Sequence, residues 1–133
     1  MGILARLPLS SGMLAGKMKT DSAFTSDDHR AGNRQGEWFD RGETFSGVDF
    51  ATGLQAVEEL RALAPQGMSM AQMALRWILM NEAVTCAIPG AKRPSQAEEN
   101  AAAADFPPLP AETMEMIAAI YTTRIKPLVQ HYW

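Results

Sequence analysis

The stretch of this sequence richest in chemical potential is Ile88-Pro89-Gly90-Ala91-Lys92-Arg93-Pro94-Ser95-Gln96-Ala97-Glu98-Glu99-Asn100, where adjacent cations stand at the start of a candidate helix. A helix N-terminus already carries the positive end of its dipole and unpaired N–H groups, so acidic side chains are the ordinary choice there. Lys92 and Arg93 make sense if a bound phosphate supplies the negative charge; otherwise they are solvated surface. Gln96, Glu99 and Asn100 fall at i, i+3, i+4 beside that anion site, an arrangement suited to hydrogen bonding a heteroaromatic base or simply a polar helix face. A second candidate is the run Pro8-Leu9-Ser10-Ser11-Gly12-Met13-Leu14-Ala15-Gly16-Lys17. Its glycines permit close backbone approach, its N–H groups can face an anion, and Lys17 adds charge, although such a loop reads equally as plain turns. Both segments follow candidate strands, where α/β folds bind ligands.

Two short apolar runs provide those strands. Residues 3–7 end at Pro8, and residues 83–88, with β-branched character, close on Pro89-Gly90. Between residues 10 and 46 no period of 2 or 3.6 persists, and residues 18–48 read as one long irregular loop, too long for a plain connection in a compact domain. Helical patterns dominate the rest. Phe50, Leu54, Val57, Leu60 and Ala64 share a face behind Asp49 as N-cap, with Pro65 and Gly67 as stops. Ser69 and Gln72 form a capping box ahead of Met73, Ala74, Trp77 and Ile78 as an inward face. Pro94, with Ser95 and Glu98 as a further capping box, opens a helix through Ala104. After Phe106-Pro107-Pro108-Leu109-Pro110, a last helix turns Met114, Ile117, Ile120, Tyr121 and Ile125 inward and stops before Pro127. Met70, Met73, Met114 and Met116, at helical spacing, read as core filler. The expectation is a single helix-dominated α/β domain spanning residues 1–133.

Composition narrows the function classes. With 12 basic against 15 acidic side chains and a formal charge of −3, the chain lacks the basic surplus that nucleic-acid binding demands. One cysteine, Cys86, excludes an internal disulfide framework and fits a reducing compartment. The N-terminal run is cut by Arg6 and Pro8, so it reads as neither signal peptide nor membrane span, and a cytoplasmic location is expected. His29 and His131 have no partner spacing for a metal or a triad.

Three motifs taken together carry a resemblance: P-L-S-S-G-M-L-A-G-K after the first strand, the helix S-M-A-Q-M-A-L-R-W-I-L, and I-P-G-A-K-R-P-S-Q-A-E-E-N after the second strand. In this order and spacing the chain resembles the C-terminal part of an aldo/keto reductase. The resemblance covers essentially the whole chain, and it implies a partial (β/α)₈ TIM barrel comprising the seventh and eighth strands with their helices. It further implies that Pro8, Leu9, Ser11, Gly12 and Lys17 line the pyrophosphate of a nicotinamide dinucleotide, which Arg30 clamps from the long loop. By the same resemblance Gly90 belongs to the cofactor loop, Lys92 and Arg93 meet the 2′-phosphate of NADP, and Gln96, Glu99 and Asn100 hold the adenosine end. Cations at Lys92 and Arg93 favour NADPH over NADH.

The family's catalytic Asp, Tyr, Lys and His tetrad belongs to the first half of the barrel and has no match in these residues. In the family the tyrosine donates a proton to the carbonyl as hydride arrives. Tyr121, on an apolar helix face, and Tyr132, near the C-terminus, are no substitutes, so no catalytic residue is assigned and this chain alone is expected to be inactive. A full barrel needs eight strands and about 250 residues. Two strands alone expose unpaired edges, which leaves three outcomes: collapse as an α-rich domain, a non-catalytic self-associating helical module, or one half of a split reductase that needs an N-terminal partner. Mobility is expected in the long loop, because Asp27, Asp28, His29, Arg30 and Asn33 have few apolar neighbours. Trp38, Phe39, Tyr132 and Trp133 are the candidates to shape a pocket for an aldehyde or ketone.

Overall fold

The computed structural model describes residues 1–132. Strands β1 (Leu4–Ala5) and β2 (Cys86–Ala87) pair in parallel, Leu4 opposite Cys86 and Ala5 opposite Ala87. Thr85 N–H donates to the Ile3 carbonyl at 2.9 Å and Ile88 N–H to that of Ala5 at 3.0 Å. Both elements are shorter than the apolar runs at 3–7 and 83–88, since among the described residues each strand has a ladder on one side only. Leu4 is 63% exposed and Ile88 56%.

The helices are α1 (His29–Gly32), α2 (Phe50–Arg61), α3 (Met70–Leu79), α4 (Pro94–Ala102), α5 (Ala111–Ile120) and α6 (Lys126–Val129), with a 3₁₀ segment at Ser10–Ala15. Asp49 caps α2, its carboxylate accepting from Thr52 N–H at 2.9 Å. The expected box opens α3: Ser69 N–H donates to Gln72 Oε1 at 3.0 Å, and Gln72 N–H donates to Ser69 Oγ at 3.2 Å. The core gathers around α2 and α3: Met13, Phe50, Leu54, Val57, Met70 and Met73 are buried together with Phe45, Met68 and Leu109. Removing this apolar area from water is the main stabilising contribution to the fold.

Several expectations are corrected. At α4 the reciprocal partner is Gln96, whose Oε1 accepts from Lys92 N–H at 2.9 Å and Arg93 N–H at 3.2 Å, rather than a Ser95–Glu98 box. Pro94 occupies the first helical position, so Arg93 is the cap and the third residue beyond it is Gln96. The α4 helix ends at Ala102 and α2 at Arg61, each a little earlier than expected. The last helix does not stop before Pro127. It widens into a π-helical turn at Tyr121–Ile125, where Lys126 N–H bonds the Tyr121 carbonyl, and continues as α6. Proline has no N–H and crowds the carbonyl four residues back, and a widened turn accommodates it.

Trp77, expected inward, is 45% exposed, Met116 is exposed, and Met114, Ile117, Ile120 and Ile125 are only half-buried. Trp77 and the inner face of α5 line an open apolar cavity of about 710 Å³, floored by Met13, Val57, Met70 and Met73. These side chains follow the helical period, but nothing among the described residues covers them.

Residues 18–48 contain the single helical turn α1, with turns and bends around it. The segment is anchored by more than apolar contact. Phe24, Phe45 and Phe50 pack as an aromatic group, Phe45 and Phe50 edge-on at 5.0 Å. Arg30 lies 4.7 Å over the Phe24 ring, and Arg34 lies 4.4 Å over Phe50. Asn33 is completely buried. Counting apolar neighbours along the chain overlooks such anchors, which come from polar groups and distant rings.

Candidate cofactor site

Parallel pairing sends both glycine-bearing loops out from the same, C-terminal ends of β1 and β2. In α/β architectures ligands bind at that edge, because loops from adjacent strands converge there. The first loop is built from unusual backbone. Ser10, Ser11 and Gly12 have φ of 49°, 54° and 90°, and Leu7 has 52°. Left-handed conformations at non-glycine residues cost about 1 to 3 kcal/mol and persist only where the surroundings impose them. Here the surroundings are specific. Arg30 Nη1 donates to the Ser11 carbonyl at 3.3 Å, and Ser11 Oγ sits 2.9 Å from Thr44 Oγ1. A Cβ at Gly12 would lie 3.3 Å from Arg30 Nη1, so the guanidinium rests directly against the glycine. Further along, Arg61 Nη2 donates to the Gly16 carbonyl at 2.6 Å.

Arg30 is itself held. Its Nε lies 2.9 Å from Asp28 Oδ1 and its Nη2 2.5 Å from Oδ2, a fork-to-fork pair that keeps the head group flat against the loop. The hydrogen bonds from Arg30 hold the Asp28 carboxyl well below the usual carboxylate range, and Asp28 in turn raises the Arg30 pKa. Asp28 also caps α1 through Arg30 N–H at 2.9 Å. Nearby, a hydrogen bond from Thr25 lowers the Asp27 pKa, with a smaller contribution from the charge of Lys92.

In the second glycine loop Lys92 and Arg93 are exposed and make no ion pair among the described residues. A Cβ at Gly90 would meet open space. Gln96 and Asn100 shape the loop: Gln96 ties down the amides of residues 92 and 93, and Asn100 Nδ2 donates to the Gly90 carbonyl at 3.3 Å. The Glu99 carbonyl accepts from Gln72 Nε2 at 3.1 Å, which anchors α4 to α3 while the Glu99 side chain stays exposed. Pro8 is buried, Leu9 half-buried and Lys17 exposed. This donor set fits a phosphate-bearing dinucleotide: unpaired cations at one loop, and a fixed guanidinium against a glycine at the other.

Asp28, Thr44 and Arg61 act on this site, and the sequence alone assigns none of them a role in it. Asp28 and Arg30, two residues apart, could have been noticed as a pair. Thr44 and Arg61 meet the glycine loop across 33 and 45 residues, and no local pattern signals that. Of the candidate pocket aromatics, Trp38 stacks so closely on Gly32 that a Cβ there would lie 2.0 Å from the ring, and Tyr132 receives the Arg41 guanidinium at 3.3 Å from its centroid. Phe39 stands edge-on to His29 at 6.1 Å, and Trp133 lies outside the described residues. No group of metal-ligating side chains occurs among the described residues. Nor, among them, is any helix long and apolar enough to cross a membrane.

The model of the aldo/keto reductase family matches residues 1–122. Over 101 residues the chain is 41% identical to an L-glyceraldehyde 3-phosphate reductase of Escherichia coli O157:H7, a match covering 75% of this chain and 28% of that protein. A probable voltage-gated potassium channel subunit beta of Arabidopsis thaliana is 34% identical over 116 residues, covering 82% of this chain and 31% of that one. Among solved structures, the glycerol dehydrogenase of Gluconobacter oxydans superposes with a TM-score of 0.72 at 28% identity, over 93% of this chain and 35% of its own. The chain belongs to the aldo/keto reductase family. It spans roughly a third of the length of these relatives. Its helix-rich α/β structure resembles a portion of an aldo/keto reductase barrel.

Proposed function

We propose that residues 1–133 form the NADP-binding portion of an aldo/keto reductase, corresponding to the seventh and eighth barrel strands with their helices and the long 18–48 loop. The observation that carries this reading is the placement of Arg30: its guanidinium, fixed by Asp28, lies against Ser11 and Gly12 from 19 residues away. In this reading Pro8, Leu9, Ser11, Gly12 and Lys17 line the pyrophosphate and Arg30 closes over it. Gly90 leaves room for the approach, Lys92 and Arg93 meet the 2′-phosphate, and Gln96, Glu99 and Asn100 border the adenosine. The bound cofactor supplies hydride to an aldehyde or ketone. The residues of this chain bind and orient it, and the proton donor belongs to the Asp, Tyr, Lys and His tetrad that the family carries in the first half of the barrel. The chain alone therefore does not reduce carbonyls. A reducing, cytoplasmic setting accords with the lone thiol and the soluble cofactor.

The uncovered apolar cavity supports a second feature of this reading. Its lining, from Val57 through Trp77 to Ile117, is the kind of surface that packed barrel elements bury. The remaining part of a barrel is the occupant that we favour, and a second copy of the chain is the competing one. An NADPH titration of the purified chain, followed by cofactor fluorescence with oligomeric state recorded in the same sample, tests both. Saturable micromolar binding by a monomer supports a preformed cofactor site. Absence of binding up to millimolar NADPH, with stable dimers or larger species, supports the self-associating module with relic cofactor residues.

A further inference from the structure

Asn33 stands among loop residues with few apolar neighbours in the sequence, yet it is completely buried. Its side chain is fully used. Nδ2 donates to the Thr44 carbonyl at 2.5 Å and to Ser46 Oγ at 3.0 Å, while Oδ1 accepts from Trp38 N–H at 2.6 Å. Its backbone N–H bonds the His29 carbonyl at 3.0 Å, and its carbonyl accepts from Gly36 at 2.9 Å. One residue thus gathers positions 29, 36, 38, 44 and 46, and Thr44, whose carbonyl it binds, has a left-handed backbone with φ of 33°. From this hub two routes reach the glycine loop, and both end on Ser11. Thr44 Oγ1 meets Ser11 Oγ at 2.9 Å, and α1, which Asn33 terminates, presents Arg30 to the Ser11 carbonyl at 3.3 Å.

We propose that Asn33 is a positioning residue for the dinucleotide site, acting through Thr44 and Arg30 to hold Ser11 and Gly12 in their left-handed geometry. It touches no ligand itself. The proposal builds on the cofactor reading above, but its core, mechanical coupling from Asn33 to the glycine loop, exists without ligand. No other common side chain offers two donors and an acceptor at this reach. Alanine leaves the Trp38 N–H and the buried Thr44 carbonyl without their side-chain partner, and aspartate sets carboxylate oxygen against carbonyl oxygen.

The test is amide hydrogen exchange on the ligand-free chain, followed by NADPH titration. Asn33→Ala is expected to accelerate exchange at least about 10-fold at Trp38 and also at Gly12 and Leu14, whose N–H groups bond the Leu9 carbonyl, while Met73 and Met80 in and after α3 keep wild-type rates. Thr44→Val retains the backbone carbonyl that Asn33 binds and removes only the hydroxyl facing Ser11. It is expected to loosen Gly12 and Leu14 and leave Trp38 protected, and it serves if Asn33→Ala fails to fold. Loosening confined to residues 36–46 in Asn33→Ala, or unchanged Gly12 and Leu14 rates in Thr44→Val, overturns the coupling. If the wild-type chain binds NADPH, both variants weaken it at least about 5-fold. If the wild type does not bind, the cofactor reading fails, and the exchange rates still decide the role of Asn33.

Discussion

Replacing Lys92 and Arg93 together by alanine tests the proposed 2′-phosphate interaction. Neither side chain makes an ion pair among the described residues, and both are exposed, so their loss removes no packing. What anchors the loop is the backbone of residues 92 and 93 on Gln96 Oε1, which the substitutions leave in place. Fold stability is therefore expected to change by no more than about 0.5 kcal/mol. A charge-assisted hydrogen bond to phosphate contributes about 1.5 to 3 kcal/mol. At an exposed site each cation falls toward the lower end, so the pair together loses more than about 1.4 kcal/mol, a factor above 10 in Kd. NADH lacks the 2′-phosphate, and its affinity is expected to change less than about 2-fold. The assay is a fluorescence titration of both cofactors against wild-type and doubly substituted chain, repeated at raised salt, where the NADPH advantage shrinks. If NADPH and NADH bind equally to the wild type, or the substitution weakens both alike, these cations do not read the 2′-phosphate.

Three further expectations follow from the packing and the charges. Gly53→Ala adds a Cβ only 2.4 Å from Met13 Sδ and 2.9 Å from its Cε, the flexible end of a buried side chain that must swing aside; that repacking is expected to cancel most of the helix gain of about 1 kcal/mol, so the urea midpoint should stay nearly unchanged, and a rise worth the full gain would refute the contact. Ser69→Ala breaks the capping box of α3 and is expected to cost about 1 kcal/mol in chemical denaturation, with an unchanged midpoint counting against the box. For Asp28, the folded pKa is depressed by Arg30, so the pair contributes stability that is present above the unfolded carboxylate value near about 4 and is lost as pH falls toward the folded one. Wild type should therefore exceed Asp28→Asn in stability at pH 7, with the gap closing below about pH 4; a gap constant with pH would mean that the ion pair contributes nothing.

Much of this molecule was legible along the chain because its causes are local. Helical period, the caps at Asp49 and Ser69, the proline at position 94 and the cations at 92 and 93 act within a few residues of one another, and the motifs that carry the family resemblance lie in contiguous segments. Other features depend on chain folding back. The strands are shorter than their apolar runs because a ladder needs a neighbour, which no single segment supplies. Gln96 displaced the Ser95–Glu98 box because Pro94, as the first helical residue, moved the cap of α4 two positions earlier. Pro127 failed to end the last helix because a widened turn absorbed it. The grip of Arg30, Thr44 and Arg61 on the glycine loop spans 19 to 45 residues, and the burial of Asn33 depends on residues 38, 44 and 46 closing around it. By itself, then, the sequence determined which segments become helices and where cations stand at the start of one. Only the tertiary structure decided which of them converge, because convergence follows from long-range hydrogen bonds and shared burial that no local pattern encodes.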